Sequence, residues 1–397
     1  MKAYLLKFLN IHNNQASFYT HLLIFILAFV LLITRRPDAI FNPQFWAEDG
    51  SIFYAQAYNN GIIKSLFSPF AGYLNIVPRL TAAFSTILPL KAAPLLFNLI
   101  AIIIQILPVN FLISSRFSKI MPNLNHRIGL SFVYLALPGC SEIHANITNA
   151  QWHTALLMFM VIITQSCKTL VNLFDLIVVL LGGLTGPFSI ILIPSILFFQ
   201  YFKNKTKSIN GIKNLFYPKF LILTVTALIQ MFVIITDNRG QERLGKIDGN
   251  NINILSFDFI FTFSKILTNQ LFLISLLGNK FTDYIVKILP ENLYIILIFI
   301  VVIIGMSTLI YLLIKTPIEL KSFIIFAALI PVTILVSEFH SIDVFAFVGT
   351  AGRYWFNLIL GFVVGIIWLC NFFIQKKIFS FTKRNINYIV SNLHGNN

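Results

Sequence analysis

Apolar runs long enough to cross a bilayer recur along this whole chain, and nothing else constrains its fold so tightly. Lipid offers no hydrogen-bond partners to the backbone, so a spanning segment must be a helix or a strand of a closed barrel. Runs of this length, with 57% hydrophobic and only 11% charged residues among 397, specify helices. The chain reads as an all-α polytopic integral membrane protein, a single transmembrane domain over residues 1–397.

The net charge of +15 would suggest nucleic acid in a soluble protein. Here the cytoplasmic bias of Lys and Arg in membrane proteins accounts for it, and no nucleic-acid partner is expected. Cys140, Cys167 and Cys370 have no metal-ligand spacing and form no disulfide framework. The first apolar stretch, about Phe18 to Ile33, lacks a small-residue cleavage site and reads as a retained signal anchor.

The pattern predicts about ten transmembrane helices (range 9–12) with both termini inside. After the first crossing, residues 35–92 form a large first extracytoplasmic loop. It contains an apolar piece, Leu80 to Leu88, that is re-entrant or lies in the interface. Crossings follow at about 93–113, at about 128–139 and up to about Ser166. Two short helices then meet at an outer turn around Gly182, Gly183, Gly186 and Pro187. The segment from Lys203 to Lys219, with five lysines, is the clearest inner loop. A helix at about 220–236 leads to a second long extracytoplasmic segment, 237–291, with its own interfacial apolar piece. Crossings at about 292–314 and 322–338, and a last one ending near Ile374, precede a basic tail. This arrangement puts 17 of the 29 Lys and Arg inside and 12 of the 14 acids outside, leaving Asp175 and Glu319 on the inner side. No internal repeat is visible, which disfavours the common transporter folds.

On this topology the polar motifs share the outer face. They are Trp46-Ala47-Glu48-Asp49-Gly50 with Tyr73 and Arg79, Asn146 to His153, Leu184 to Pro187, Asn238 to Arg243, and His340 to Asp343 with Gly352 to Trp355. Ionisable groups near membrane level are functional candidates by default, so five loops supplying them to one side point to a composite site. Asp49 heads Ser51 to Asn60, a short helix closed by Gly61. Its position fits two roles equally: a general base taking a proton from a sugar hydroxyl or amine, or a plain N-cap. Glu48 shares the role, orients Asp49 or faces water.

Arg353 offers a planar fork suited to phosphate, beside Tyr354 and between glycines that admit a ligand, or it is an interfacial anchor. Arg79 has the same two readings. His153 and His340 donate to phosphate or cap helix ends. Asn149, Gln151 and Trp152 form a sugar-binding edge and stacking face, or an aromatic belt residue with capping amides. Arg239, Gln241, Glu242 and Arg243 read as a solvated loop. There is no Walker-type loop, no dinucleotide-binding glycine pattern, no HExxH and no Gly-x-Ser-x-Gly. No cofactor is required by any motif. A divalent metal is compatible with the outer acids but is not demanded.

An inner N-terminus, one crossing and a large outer loop with an acidic residue resembles the GT-C superfamily of membrane glycosyltransferases. The resemblance covers the general plan of most of the chain and is sharpest at Phe45 to Gly50 and at Gly352 to Tyr354. It implies an inverting transferase that takes a sugar from a polyprenyl-phosphate carrier whose tail lies between the helices. The acceptor would be an envelope glycan or lipid, lipopolysaccharide being one setting, at the periplasmic face of a bacterial inner membrane. It makes Asp49 the general base and puts Arg353, with Arg79, on the donor phosphate. The large soluble C-terminal domain that some members carry is not expected here. Two other classes stand beside it: a transporter of a lipid-linked sugar or small anion using the Gly182 to Pro187 break, and a non-catalytic envelope assembly subunit. A transporter calls for a path lined from both sides, and the one-sided acids favour the enzyme.

Overall fold

The computed structural model describes residues 15–164, 169–204, 218–242 and 256–374. Lys2, Lys7, Cys167, Lys168, most of the lysine-rich inner loop, Arg243 and the basic tail lie outside the described residues, as does the side chain of His340.

Helix α1 (Phe18–Arg35) starts where the Ser17 hydroxyl accepts the Thr20 N–H at 3.2 Å, supplying one of the partners a helix start lacks. The short α2 (Asp38–Phe41) leads to a π-helical turn, Asp49–Tyr54, which runs into α3 (Ala55–Asn60). Gly61, at φ 82°, ends α3 and starts α4 (Ile62–Leu66), and α5 (Ile76–Ser85) closes the first loop. Next come α6 (Ala93–Ile113), α7 (Leu124–Ala136), α8 (Ala150–Ile163), α9 (Thr169–Gly183), α10 (Phe188–Asn204) and α11 (Pro218–Thr236). Helix α12 (Phe257–Leu267) continues through a π turn, Thr268–Phe272, into α13 (Leu273–Ile288). Pro290 and Pro317 precede α14 (Glu291–Lys315) and α15 (Ile318–Ser337), and α16 (Phe356–Ile374) is the last described helix.

Helix α8 is the central post. Every residue from Gln151 to Val161 is buried, as expected of a helix that is apolar all round and surrounded by others. Helices α6, α9 and α10 pack on it. Outer helices show the opposite pattern: Ile300, Ile303, Ile304 and Ile310 of α14 are exposed, the surface that a lipid-facing helix presents. Helices α9 and α11 approach closely because Gly183 has no side chain; a Cβ there would lie 2.3 Å from Thr226 Oγ1.

Seven helices among the described residues are long and apolar enough to cross a membrane, and Ala150–Ile163, Leu170–Gly183 and Phe188–Lys203 are shorter apolar helices. The chain is thus an all-α protein with several membrane-capable helices. The apolar piece at Leu80 to Leu88 comprises the last six residues of α5 and the turn after it, and the ten residues of α5 reach about 15 Å, half a bilayer core. Two details differ from the sequence expectation. Helix α7 starts four residues earlier than expected, where the Asn123 side chain accepts the Asn125 N–H at 2.8 Å. The interfacial piece within 237–291 is a helical run of 32 residues, Phe257–Ile288, broken at Gly278 where φ is 75°. Its polar middle lowers its hydropathy but turns inward. Asn269 Nδ2 donates to Tyr294 Oη and to the Ala346 carbonyl, both at 2.8 Å, and Gln270 Nε2 donates to the Phe345 and Phe347 carbonyls.

Candidate functional site

The acid pair sits at the start of the first π turn. Asp49 is fully buried, and its carboxylate faces another loop rather than its own helix. Oδ1 accepts the Thr148 N–H at 2.9 Å and the Thr148 hydroxyl at 2.6 Å, and Oδ2 accepts the Ile147 N–H at 3.4 Å. The N-cap role is therefore replaced: Asp49 fastens residues 141–149 to the first loop. Three donors leave Oδ2 with one acceptor position unused. Burial pushes the Asp49 carboxyl up to about 7, against the pull of the Thr148 and Ile147 hydrogen bonds and with the added push of Glu48. Glu48 is partly exposed and makes no hydrogen bond or ion pair with a described residue.

The same 141–149 loop carries a carboxylate that sequence reasoning did not single out. Glu142 pairs with Arg353: Oε1 accepts from Nη1 of the guanidinium, and Oε2 accepts the Arg353 backbone N–H at 3.3 Å. Arg353 Nη2 donates to Tyr354 Oη at 3.2 Å, and the guanidinium lies 4.7 Å from the Tyr354 ring centroid. Both charged side chains stay partly exposed, Arg353 at 35% and Glu142 at 27%.

Asn149, Gln151, Trp152 and His153 are all buried where α8 begins. Trp152 Nε1 donates to Asn149 Oδ1 at 3.1 Å, and its ring packs edge-on against Phe188 and Tyr354. That leaves no open face for stacking a sugar. His153 lies between the Tyr134 hydroxyl at 2.7 Å and the Ile143 carbonyl at 3.2 Å, a core position rather than a phosphate donor. Gln151 Oε1 is buried without a partner among the described residues and lies against Gly186.

Arg79, on α5, is buried and holds the first loop together. Nη1 donates to Gln56 Oε1 at 2.6 Å, Nη2 to the Ser68 carbonyl at 3.0 Å, and the guanidinium lies 5.1 Å from the Phe53 ring centroid. Tyr73 closes a turn with Phe70, its carbonyl accepting the Phe70 N–H at 3.0 Å. Beside this turn, Gln230 of α11 brackets Leu74. Its Oε1 accepts the Leu74 N–H at 2.9 Å, while Nε2 donates to the carbonyls of Leu74 and Gly186. The Leu184 to Pro187 break is thereby tied to the first loop, as it also is by the Thr185 hydroxyl, which accepts the Val77 N–H at 3.1 Å. The Asn238 to Glu242 segment joins at Gly72, where an added Cβ would lie 3.1 Å from the Gly240 nitrogen, and Arg239 lies over the Phe70 ring.

The five motifs therefore meet at one end of the bundle. The non-glycine residues with positive φ among the described residues lie in or beside them: Ala47, at 39°, is within the first motif, and Ala71 at 57°, Ala145 at 52° and Ala351 at 55° each stand within two residues of a motif residue. Alanine pays about 1–2 kcal/mol for that backbone shape, and such strain concentrates at functional sites. Ala47 precedes the acid pair, Ala145 separates Glu142 from Thr148, and Ala351 stands two residues before Arg353. Glu142, Thr148 and Gln230 were missed in the sequence. Gln230 left a signal, a lone amide in an apolar helix. Among the described residues no three His, Cys, Asp or Glu side chains form a metal-ligand set. No protein-family model, curated protein or solved structure matches the chain.

Proposed function

We propose that the protein is an inverting membrane glycosyltransferase. It takes a sugar from a polyprenyl-phosphate carrier and passes it to an envelope glycan or lipid at the end of the bundle where the five motifs meet. The periplasmic face of a bacterial inner membrane is the setting this reading assigns. One observation carries it: a buried carboxyl pushed up to about 7 and a phosphate-compatible arginine are anchored on the same nine-residue loop, 141–149. A base with a pKa near the working pH combines a large ionised fraction with a strong pull on a proton.

In this mechanism Asp49 accepts the proton of the acceptor hydroxyl through Oδ2. The freed oxygen attacks the anomeric carbon from the side opposite the phosphate. The anomeric C–O bond breaks, its electron pair leaves with the polyprenyl phosphate, and Arg353 neutralises the developing charge. Glu48 is the partly exposed carboxylate of the pair. Arg79, the other candidate for the donor phosphate, supports the floor of the first loop instead.

The test is transfer from a polyprenyl-phosphate sugar by membranes holding equal amounts of wild type, Asp49→Asn and Glu48→Gln. Asp49→Asn should lose about 10² to 10⁴ in turnover, the usual worth of a general base. Full transfer by Asp49→Asn would remove it from the mechanism, and loss at Glu48→Gln alone would move the base by one residue.

A further inference from the structure

We propose that Glu142 is the built-in occupant of an anion receptor formed by Arg353, and that a phosphate ester displaces it. The proposal rests on the reading of Arg353 as the donor-phosphate residue and adds the group that holds its place.

The receptor has two donors on one residue. The guanidinium takes one Glu142 oxygen and the Arg353 backbone N–H takes the other. A fork plus a main-chain N–H is the donor set that recognises phosphate as readily as carboxylate. The backbone reaches that shape through Gly349 at φ 72° and Ala351 at φ 55°, ψ 37°, and Gly352 packs against the Gly139 carbonyl, which a Cβ would approach to 2.8 Å. These are unusual conformations for a plain surface ion pair. Glu142 and Arg353 are both partly exposed, so an incoming anion can reach them without unfolding the core.

Displacement has a consequence along the loop. Residues 141–149 are pinned at one end by Glu142 on Arg353 and at the other by Ile147 and Thr148 on Asp49, with strained Ala145 between. Between those two ends the segment is also held by Arg36 on the His144 carbonyl, by Gln105 on His144 and Ala145, and by His153 on the Ile143 carbonyl, so releasing Glu142 frees its outer end and leaves the contact with Asp49 in place.

The test uses the full chain purified in dodecyl maltoside and titrated with farnesyl phosphate, farnesol and inorganic phosphate. Glu142→Gln keeps the size of the side chain and removes the competing charge. An ion pair of this exposure holds up to about 1 kcal/mol, so its removal should tighten farnesyl phosphate by up to about fivefold. Glu142→Asp, which keeps the charge on a shorter arm, should fall between wild type and Glu142→Gln. Arg353→Ala should weaken binding, and farnesol should not respond to Glu142→Gln. A merely structural glutamate would show no gain, or a loss, in affinity. If neither Glu142→Gln nor Glu142→Asp tightens either phosphate probe in protein with the wild-type melting temperature, the inference is overturned. Tightening of inorganic phosphate but not of farnesyl phosphate keeps the displacement of Glu142 and removes the lipid-carried donor from the proposed function.

Discussion

At the scale of single residues, Asp49 links stability and activity to pH in opposite directions. Its carboxyl holds its proton up to about 7 in the fold, against 3.8 for the free side chain. The folded state therefore binds more protons than the unfolded state between those values. Its stability falls as pH rises from about 4 to about 7 and is level above that. A base must be ionised to act, so turnover should rise about tenfold per unit below 7 and then level off. His144, on the facing loop, is held neutral by burial, which pushes it down to about 2 with help from Arg35, His153 and Arg36, so it does not titrate in this window. Thermal melts and initial rates at each pH should trace the two curves, and Asp49→Asn should flatten the stability curve. Thr148→Val removes the hydroxyl donor at 2.6 Å but keeps the backbone N–H. Because that hydrogen bond holds the pKa down, the inflection should move above 7; an unmoved inflection would assign it to another group. The importance of Asp49 was legible in the sequence, since an acid pair is rare in so apolar a chain. Its partners were not, because Ile147 and Thr148 lie nearly one hundred residues away and only tertiary packing brings them in.

At the scale of elements, the candidate end of the bundle is held by a few polar brackets between apolar helices. Gln230 is the clearest, with four hydrogen bonds that reach Leu74, Gly183 and Gly186. Gln230→Leu would leave the Leu74 N–H and the Gly186 carbonyl buried and unpaired, each at about 1–3 kcal/mol, while the Leu74 and Gly183 carbonyls keep the Gly186 N–H and the Ser189 hydroxyl, so a melting temperature several degrees lower is expected. Gly186→Ala should also destabilise. Its φ is 80°, and the new Cβ would lie 2.4 Å from Gln151 Oε1. The strained alanines predict the reverse. Ala47→Gly and Ala351→Gly relieve a left-handed backbone and should each stabilise by about 1 kcal/mol, read in denaturant melts of the detergent-purified chain. If neither does, those loops are not strained and lose their weight as a functional marker. The sequence shows the Gly182 to Pro187 break through its residue types, because glycine and proline act locally. Phe257–Ile288 is harder to read, because Asn269 and Gln270 look solvated until the 345–347 segment is there to receive them.

At the scale of the whole molecule, ion pairs fix which segments share an end. Arg116 and Lys219 both bind Asp175, at 2.6 and 3.0 Å, and Lys203 lies 4.0 Å from Glu319. All five belong to the side that the charge pattern assigns to the cytoplasm. Arg36 with Asp38, Lys287 with Asp283 and Arg353 with Glu142 belong to the other side, and none of these pairs joins the two. The pairs also constrain parity. If Lys203 and Glu319 share a side, as their contact requires, the chain between them crosses an even number of times, and α11 and α14, each long and apolar enough to cross, would supply two. A third full crossing by Phe257–Ile288 would put Glu319 at the wrong end, despite a length of 32 residues that allows one. Its attachments agree with that count, since Asn269 holds Ala346 and Asn279 packs on Gly349, both next to the candidate site. The same logic makes α7 a connector of the two ends although it has only 13 residues, because Arg116 lies at one end and Glu142 at the other. Single cysteines in a background lacking Cys140, Cys167 and Cys370 test this. Ser51→Cys, Glu242→Cys and Lys287→Cys should all react with a membrane-impermeant maleimide on intact cells, or on spheroplasts. Ser115→Cys and Lys315→Cys should react only after permeabilisation. If Glu242→Cys and Lys287→Cys labelled from opposite sides, Phe257–Ile288 would be a crossing, the Lys203 and Glu319 contact could not form in the membrane, and α14 to α16 would each have to be inverted.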